Sequence, residues 1–383
     1  MTFIERFREL KTRFSYERTV KIDDASLEIR PFRFRQEFIN PEIRRLQHAI
    51  SPPEFCPVPD DDVEENNAFT YPVFVHKGVV RTGKAIILLH GLNERRWEKY
   101  LPWAEDLALK TGRAVVLFPI AFHMNRTPDS WHNPRMLLPY VNRRKETLDS
   151  PHNTTFANVA LSSRLSEHPV RFYSSGKESL FNLWQLIGEI KNGRHPLFKE
   201  NASINLFAYS IGAFLAQVLL LSNPEQLTSD SRLFLFCGGT LFSRMNGDSR
   251  DIMDRESFLT LKNYLLNDFL DRERCVLGRD DDFLEKAFKA MLSADQYRPY
   301  RETFFRKNQH CIAAITLKND TVIPTTGVEE AFGKKGADKI VEEQDFPYEY
   351  SHQVPFPVHN RVAPETVQQC FSAVFDRAAA FLA

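Results

Sequence analysis

The chain has 383 residues, 43% apolar and 26% charged, and its 50 Lys plus Arg balance 50 Asp plus Glu. Such a composition describes a globular protein with a sizeable core. The charge balance leaves no basic surplus for nucleic acid or an anionic membrane surface, so neither is expected as a partner.

The first eight residues, Met1-Thr2-Phe3-Ile4-Glu5-Arg6-Phe7-Arg8, mix charge with apolar groups and lack the apolar stretch of a secretory signal. No run reaches the roughly 18 apolar residues that span a bilayer. The five cysteines (Cys56, Cys237, Cys275, Cys311, Cys370) are scattered and odd in number. They read as free thiols in a reducing compartment, with no disulfide frame or metal knuckle. A cytoplasmic location is expected. Residues 1–68 read as an N-terminal extension. Short helices fall near residues 3–10 and 41–50, strand-like alternation over 27–30 and 32–35, and a polar surface connection over 51–67.

From residue 69 the pattern changes. Strand-like Tyr71-Pro72-Val73-Phe74-Val75 precedes Ala85-Ile86-Ile87-Leu88-Leu89, a continuous apolar run of the kind buried on both faces of a parallel sheet. That run ends at His90-Gly91-Leu92. A helix opens at Pro102 and closes near Gly112, and Val115-Val116-Leu117-Phe118 is the next strand. Residues 121–174 have no clear period; their histidines (His123, His132, His152, His168) are expected at a rim. Helical spacing returns at Leu180, Leu183, Trp184, Ile187 and Ile190. A strand over 204–209 and a helix over 212–221 follow, then strand-like Leu233-Phe234-Leu235-Phe236-Cys237 and Gly238-Gly239.

Residues 240–309 carry amphipathic helices, one with Phe258, Leu261, Leu265 and Phe269, another with Phe283, Ala287, Phe288 and Met291. Asp280-Asp281-Asp282 lacks the alternate spacing and glycine of a calcium loop, and no metal is expected. A strand ending at Leu317, a weak one from Ile340 and a helix from Pro364 complete the pattern. Buried strands alternating with helices imply βαβ units, an α/β protein with a mostly parallel central sheet flanked by helices.

Between the strand over 204–209 and its helix stands Ala208-Tyr209-Ser210-Ile211-Gly212. A serine at such a turn is lifted off the strand end, and the free N–H groups of the next helix point to the same place. Both features suit a nucleophile that attacks a carbonyl. Acyl transfer also needs an imidazole, an acid to orient it and two N–H donors for the oxyanion. The acid candidate is Asp320, in Asn319-Asp320-Thr321-Val322-Ile323-Pro324, a place that also suits an Asx turn. Two histidines precede the last helix, His352 and His359. The prolines of Val354-Pro355-Phe356-Pro357 stiffen the segment after His352 and favour it; His359 stays as the alternative.

Together these features resemble the α/β-hydrolase superfamily over residues 69–383. They are a G-x-S-x-G elbow with Ala208 for its first glycine, the His90-Gly91 turn, Asp320 after a strand and a late histidine, in the order serine, acid, histidine. The resemblance implies an α/β-hydrolase fold with catalytic Ser210, Asp320 and His352. It implies an oxyanion hole from the backbone of Leu92 and Ile211, with His90 as a structural turn residue. Insertions at 121–174 and 240–309 become a helical cap or lid. The implied activity is that of a serine hydrolase cleaving an ester or related acyl bond through an acyl-enzyme, with no cofactor. The expected substrate is a small acyl compound with an apolar part, which the 32 Phe residues suit. Peptidase, thioesterase and acyltransferase activities use the same site, and a catalytically silent binding or scaffold protein is the alternative.

Overall fold

The computed structural model describes residues 1–37, 40–149, 151–269, 283–359 and 361–383. Its centre is a sheet of nine strands: β1 Val20–Ile22, β2 Leu27–Arg35, β3 Ala68–His76, β4 Thr82–Leu89, β5 Ala114–Leu117, β6 Phe198–Tyr209, β7 Leu233–Phe236, β8 Ile312–Leu317 and β9 Val341–Gln344. Their spatial order is β1-β2-β3-β5-β4-β6-β7-β8-β9. The pairs from β1 to β3, and β3 with β5, are antiparallel; every pair from β5 to β9 is parallel. This is the α/β-hydrolase fold.

The apolar runs become strands because both faces of the sheet are covered. Alternate residues of a strand point to opposite sides. Ile87, Leu206, Leu235 and Ala314 share one core with the helices Val170–Lys191 and Ile211–Ser222. Ile86, Phe207, Phe236 and Ile315 share the other with the helices Phe3–Arg13, Leu101–Thr111 and Pro364–Leu382.

Residues 1–68 enter this body. The hairpin β1–β2 extends the sheet, and Phe3 lies against Phe371 and Phe356 with ring centroids 4.8 and 5.6 Å away. The segment 51–67, expected at the surface, is buried in part. A short turn, Asp60–Asp62, places the Asp60 carboxylate at 2% exposure between the guanidinium groups of Arg164 (2.8 Å) and Arg171 (3.0 Å). Its polar composition hides this, because a carboxylate is tolerated inside when it is paired.

Residues 121–174 are also more regular than their pattern. They hold the helices Pro134–Thr147 and Val159–Glu167 and the start of Val170–Lys191. The last of these buries Lys177, Glu178 and Asn182, bonded to Glu42, Gln47, Asn66 and Arg126, so a polar seam stands where an apolar stripe would be. The two insertions pack on each other. Val159–Glu167 lies against the helix Arg255–Asn263, and Arg144 grips Asp254 through two nitrogens at 2.7 and 2.8 Å. The helix Phe283–Ala290 packs on Ile211–Ser222.

The acidic run 280–282 and Cys275 lie outside the described residues. Cys56, Cys237, Cys311 and Cys370 are unpaired. Among the described residues no helix is long and apolar enough to cross a membrane.

Removing one partner of a buried ion pair strands the other charge. Asp60→Ala leaves two buried guanidinium groups without their carboxylate and is expected to lower the unfolding free energy by about 3–5 kcal/mol in urea titrations. A midpoint and slope equal to the parent would remove Asp60 from the structural core.

Candidate active site

At the end of β6 the backbone turns sharply. Ser210 has φ 55° and ψ −123°, a region that costs a non-glycine residue about 1–3 kcal/mol and persists only where its surroundings enforce it. Two glycines supply the enforcement. A Cβ on Gly212 would stand 2.7 Å from the His90 carbonyl oxygen, and one on Gly238 would stand 2.4 Å from Ala213 Cβ and 3.0 Å from Ser210 N. The helix Ile211–Ser222 therefore presses on the end of β4, and the chain leaving β7 passes directly under the serine. Ala208, where the motif has glycine, is fully buried in β6.

Three side chains from three loops meet here. His352 Nε2 is 2.7 Å from Ser210 Oγ, and His352 Nδ1 is 2.7 Å from Asp320 Oδ2. All three residues are at most 5% exposed. The ionised carboxylate can only accept, so Nδ1 carries the proton and Nε2 faces the serine hydroxyl as an acceptor. Asp320 Oδ1 accepts the N–H groups of Val322 and Ile323, both at 2.9 Å. The Asx turn and the imidazole partner are thus the same residue, one oxygen each. His359 is exposed and, among the described residues, bonds only locally, accepting the Arg361 N–H at 3.3 Å.

Leu92 and Ile211 flank the serine, and among the described residues neither backbone N–H has an acceptor. The loop that carries Leu92 is fixed by His90. Ile120 N–H donates to His90 Nε2 at 2.9 Å, so Nδ1 bears the proton and donates to the Gly91 carbonyl at 2.8 Å. Burial, with His123 nearby, holds the His90 pKa well below its ordinary value. With both nitrogens committed, His90 is a structural clamp.

A family model described as a family of unknown function (DUF6051) matches residues 1–383. The chain belongs to that family. No curated protein matches it. Similar solved structures include an esterase from Mycobacterium marinum (14% identity, TM-score 0.46, covering 99% of this chain and 87% of that one). Others are a bacterial heroin esterase (12%, 0.47, 99% and 89%) and a carboxyl esterase from the fungus Tuber melanosporum (10%, 0.43, 99% and 98%). At such identities and TM-scores the likeness carries no statement about activity here.

Several residues that support the site have no motif of their own. Tyr209, next to the serine, donates its hydroxyl to the His352 carbonyl and stacks on the imidazole at 5.4 Å and 18°. Lys99 donates to the Gln353 carbonyl at 3.1 Å. Phe356 is buried among the rings of Phe3, Trp103, Phe236, Phe346, Phe371 and Phe375, and so anchors the histidine loop more firmly than its prolines alone. The one available signal was position: Tyr209 directly precedes Ser210, and Phe356 follows His352 by four residues.

Beside Ser210 lies an apolar cavity of about 30 Å³, walled by Phe172 of the first insertion and by Met245, Ile252, Met253, Phe258 and Leu261 of the second. Among the described residues no group of His, Cys, Asp or Glu could hold a metal ion.

Tyr209 is a positioning residue. Tyr209→Phe is expected to lower kcat for 4-nitrophenyl acetate by about tenfold, one hydrogen bond of alignment, with KM nearly unchanged. A parental kcat would mean that the hydroxyl does not hold the imidazole.

Proposed function

We propose that the chain is a serine hydrolase that cleaves an ester or related acyl bond of a small molecule. The reading rests on the continuous relay from Ser210 Oγ through His352 to Asp320, with both links at 2.7 Å. As Oγ attacks the acyl carbon, His352 Nε2 takes its proton and the carbonyl oxygen becomes an oxyanion facing the Leu92 and Ile211 N–H groups. Each such donor is worth about 10²–10³ in rate. Collapse breaks the acyl C–O bond, and the imidazolium returns its proton to the departing alkoxide. Water then attacks the acyl-enzyme, His352 takes the water's proton, and the acid leaves as Oγ recovers a proton. Asp320 keeps the imidazole in the useful tautomer throughout.

The two insertions act as the cap, and their apolar side chains receive the acyl group. At roughly 10–15 Å³ per water-sized group, the cavity beside Ser210 takes about two such groups. Acetyl to butyryl esters are therefore expected to turn over faster than lauroyl esters. Met253→Ala is expected to shift the preference towards longer acyl chains, and an unchanged chain-length profile would place the acyl group elsewhere.

A fluorophosphonate probe tests the nucleophile. Labelling is expected at Ser210 and absent in Ser210→Ala, with kcat falling by about 10⁴–10⁶. Asp320→Asn is expected to stay folded and lose on the order of 10⁴. His352→Ala is expected to be inactive and His359→Ala near parental. A folded protein that never labels, beside a control esterase that does, would leave the binding-module reading instead.

A further inference from the structure

A second arm of the cleft runs away from the serine. It shares Leu92 and Phe172 with the apolar cavity and is lined further on by Phe122, His123, Trp131 and His132. Of these histidines, expected at a rim, His123 is inside at 7% exposure and His132 is half-buried, and Trp131 is 4% exposed. Three buried ring nitrogens on this one arm, His123 Nε2, His132 Nδ1 and Trp131 Nε1, have no hydrogen-bond partner among the described residues. A buried polar atom without a partner costs about 1–3 kcal/mol, so three along one cleft mark groups that a ligand satisfies.

Their chemistry can be read off their neighbours. His123 Nδ1 lies 2.9 Å from the Ala121 carbonyl, so it carries the proton and Nε2 is a bare acceptor. His132 Nε2 lies 2.5 Å from Thr127 Oγ1, whose own proton goes to the Met124 carbonyl at 3.2 Å. Burial lowers both pKa values to about 4, so both rings are neutral near pH 7. Trp131 Nε1 can only donate. The arm thus presents an acceptor on His123, a donor on Trp131 and a further polar nitrogen on His132, all on aromatic surfaces, with Phe122 stacked on Trp131 at 6.0 Å and 22°.

An anion is the wrong guest. Arg164 gives both its terminal nitrogens to Asp60, and Arg171 bonds Asp60 and the carbonyls of Ser51 and Arg164, while Arg95 gives one nitrogen to the carbonyls of Phe156 and Ala157 and shares the lining with the carboxylate of Glu94. What remains fits hydroxyl groups, which donate and accept, on a carbon frame that rests on a ring.

We propose that this arm receives the alcohol half of the ester, and that the alcohol is a neutral polyol of the glycerol or sugar class. This rests on the hydrolase reading and names its substrate class. The test separates the two. Saturation-transfer NMR on Ser210→Ala protein, which needs no turnover, is run with methyl glucoside, glycerol, butanol and glycerol phosphate. The polyols are expected to show transfer, and His123→Phe and Trp131→Phe each to weaken it. On Ser210 protein, the ratio of kcat/KM for 6-O-acetylglucose over phenyl acetate is expected to fall about tenfold in each variant, one hydrogen bond's worth. Transfer to butanol or glycerol phosphate stronger than to either polyol would overturn the proposal, as would polyol transfer unchanged in both variants. Failure of the hydrolase reading shows separately, as absence of probe labelling at Ser210.

Discussion

The site depends on the close approach of three backbone segments. The start of the helix Ile211–Ser222 rests on the end of β4 through Gly212, and the chain after β7 runs beneath Ser210 through Gly238. No side chain fits either contact. This crowding holds Ser210 in its left-handed conformation against a cost of about 1–3 kcal/mol. It also sets the donors. Gly212 N–H donates to the His90 carbonyl at 3.1 Å, two residues before Leu92, while Ile211 follows the serine directly. Ser210 and the N–H groups of Leu92 and Ile211 are consequently one rigid piece, placed at the carboxyl ends of the strands, where ligands bind in open α/β sheets.

His352 arrives on a separate piece. The loop after β9 has no regular structure to orient it, and His352 is located instead by what it touches. Tyr209 holds its carbonyl, Asp320 its ring, and Phe356 ties the loop into the aromatic core beneath. Much of the phenylalanine content serves this core rather than a ligand pocket. Phe207, Phe234, Phe371 and Phe375 are stacked in pairs under the sheet.

The central strands were legible because a parallel strand covered on both faces must be apolar at nearly every position, as Ala85 to Leu89 are. The elbow was legible because its small residues answer a steric demand. Residues 121–174 and 51–67 were not, for one reason: their inward faces are polar. Arg126, Arg164 and Arg171 in the first segment and Asp60 in the second are buried by pairing with groups far along the chain, and no local period encodes a distant partner. His123 and His132 escaped for the same reason. Their burial follows from the packing of those segments, and nothing adjacent in sequence announces it.

Phe3 packs on Phe356 and Phe371, and its N–H donates to Gln368 at 2.5 Å. In synthesis the helix Phe3–Arg13 precedes these partners and cannot meet them until residues some hundreds of positions later have been made. Its apolar face stays uncovered until then, a target for holding chaperones. Contacts of such long sequence separation make closure of this face slow and late. The loop carrying His352 is secured by the same aromatic group, so the imidazole is anchored only as that closure occurs. A nascent chain therefore carries Ser210 without a fixed His352 until the helices Phe3–Arg13 and Pro364–Leu382 join.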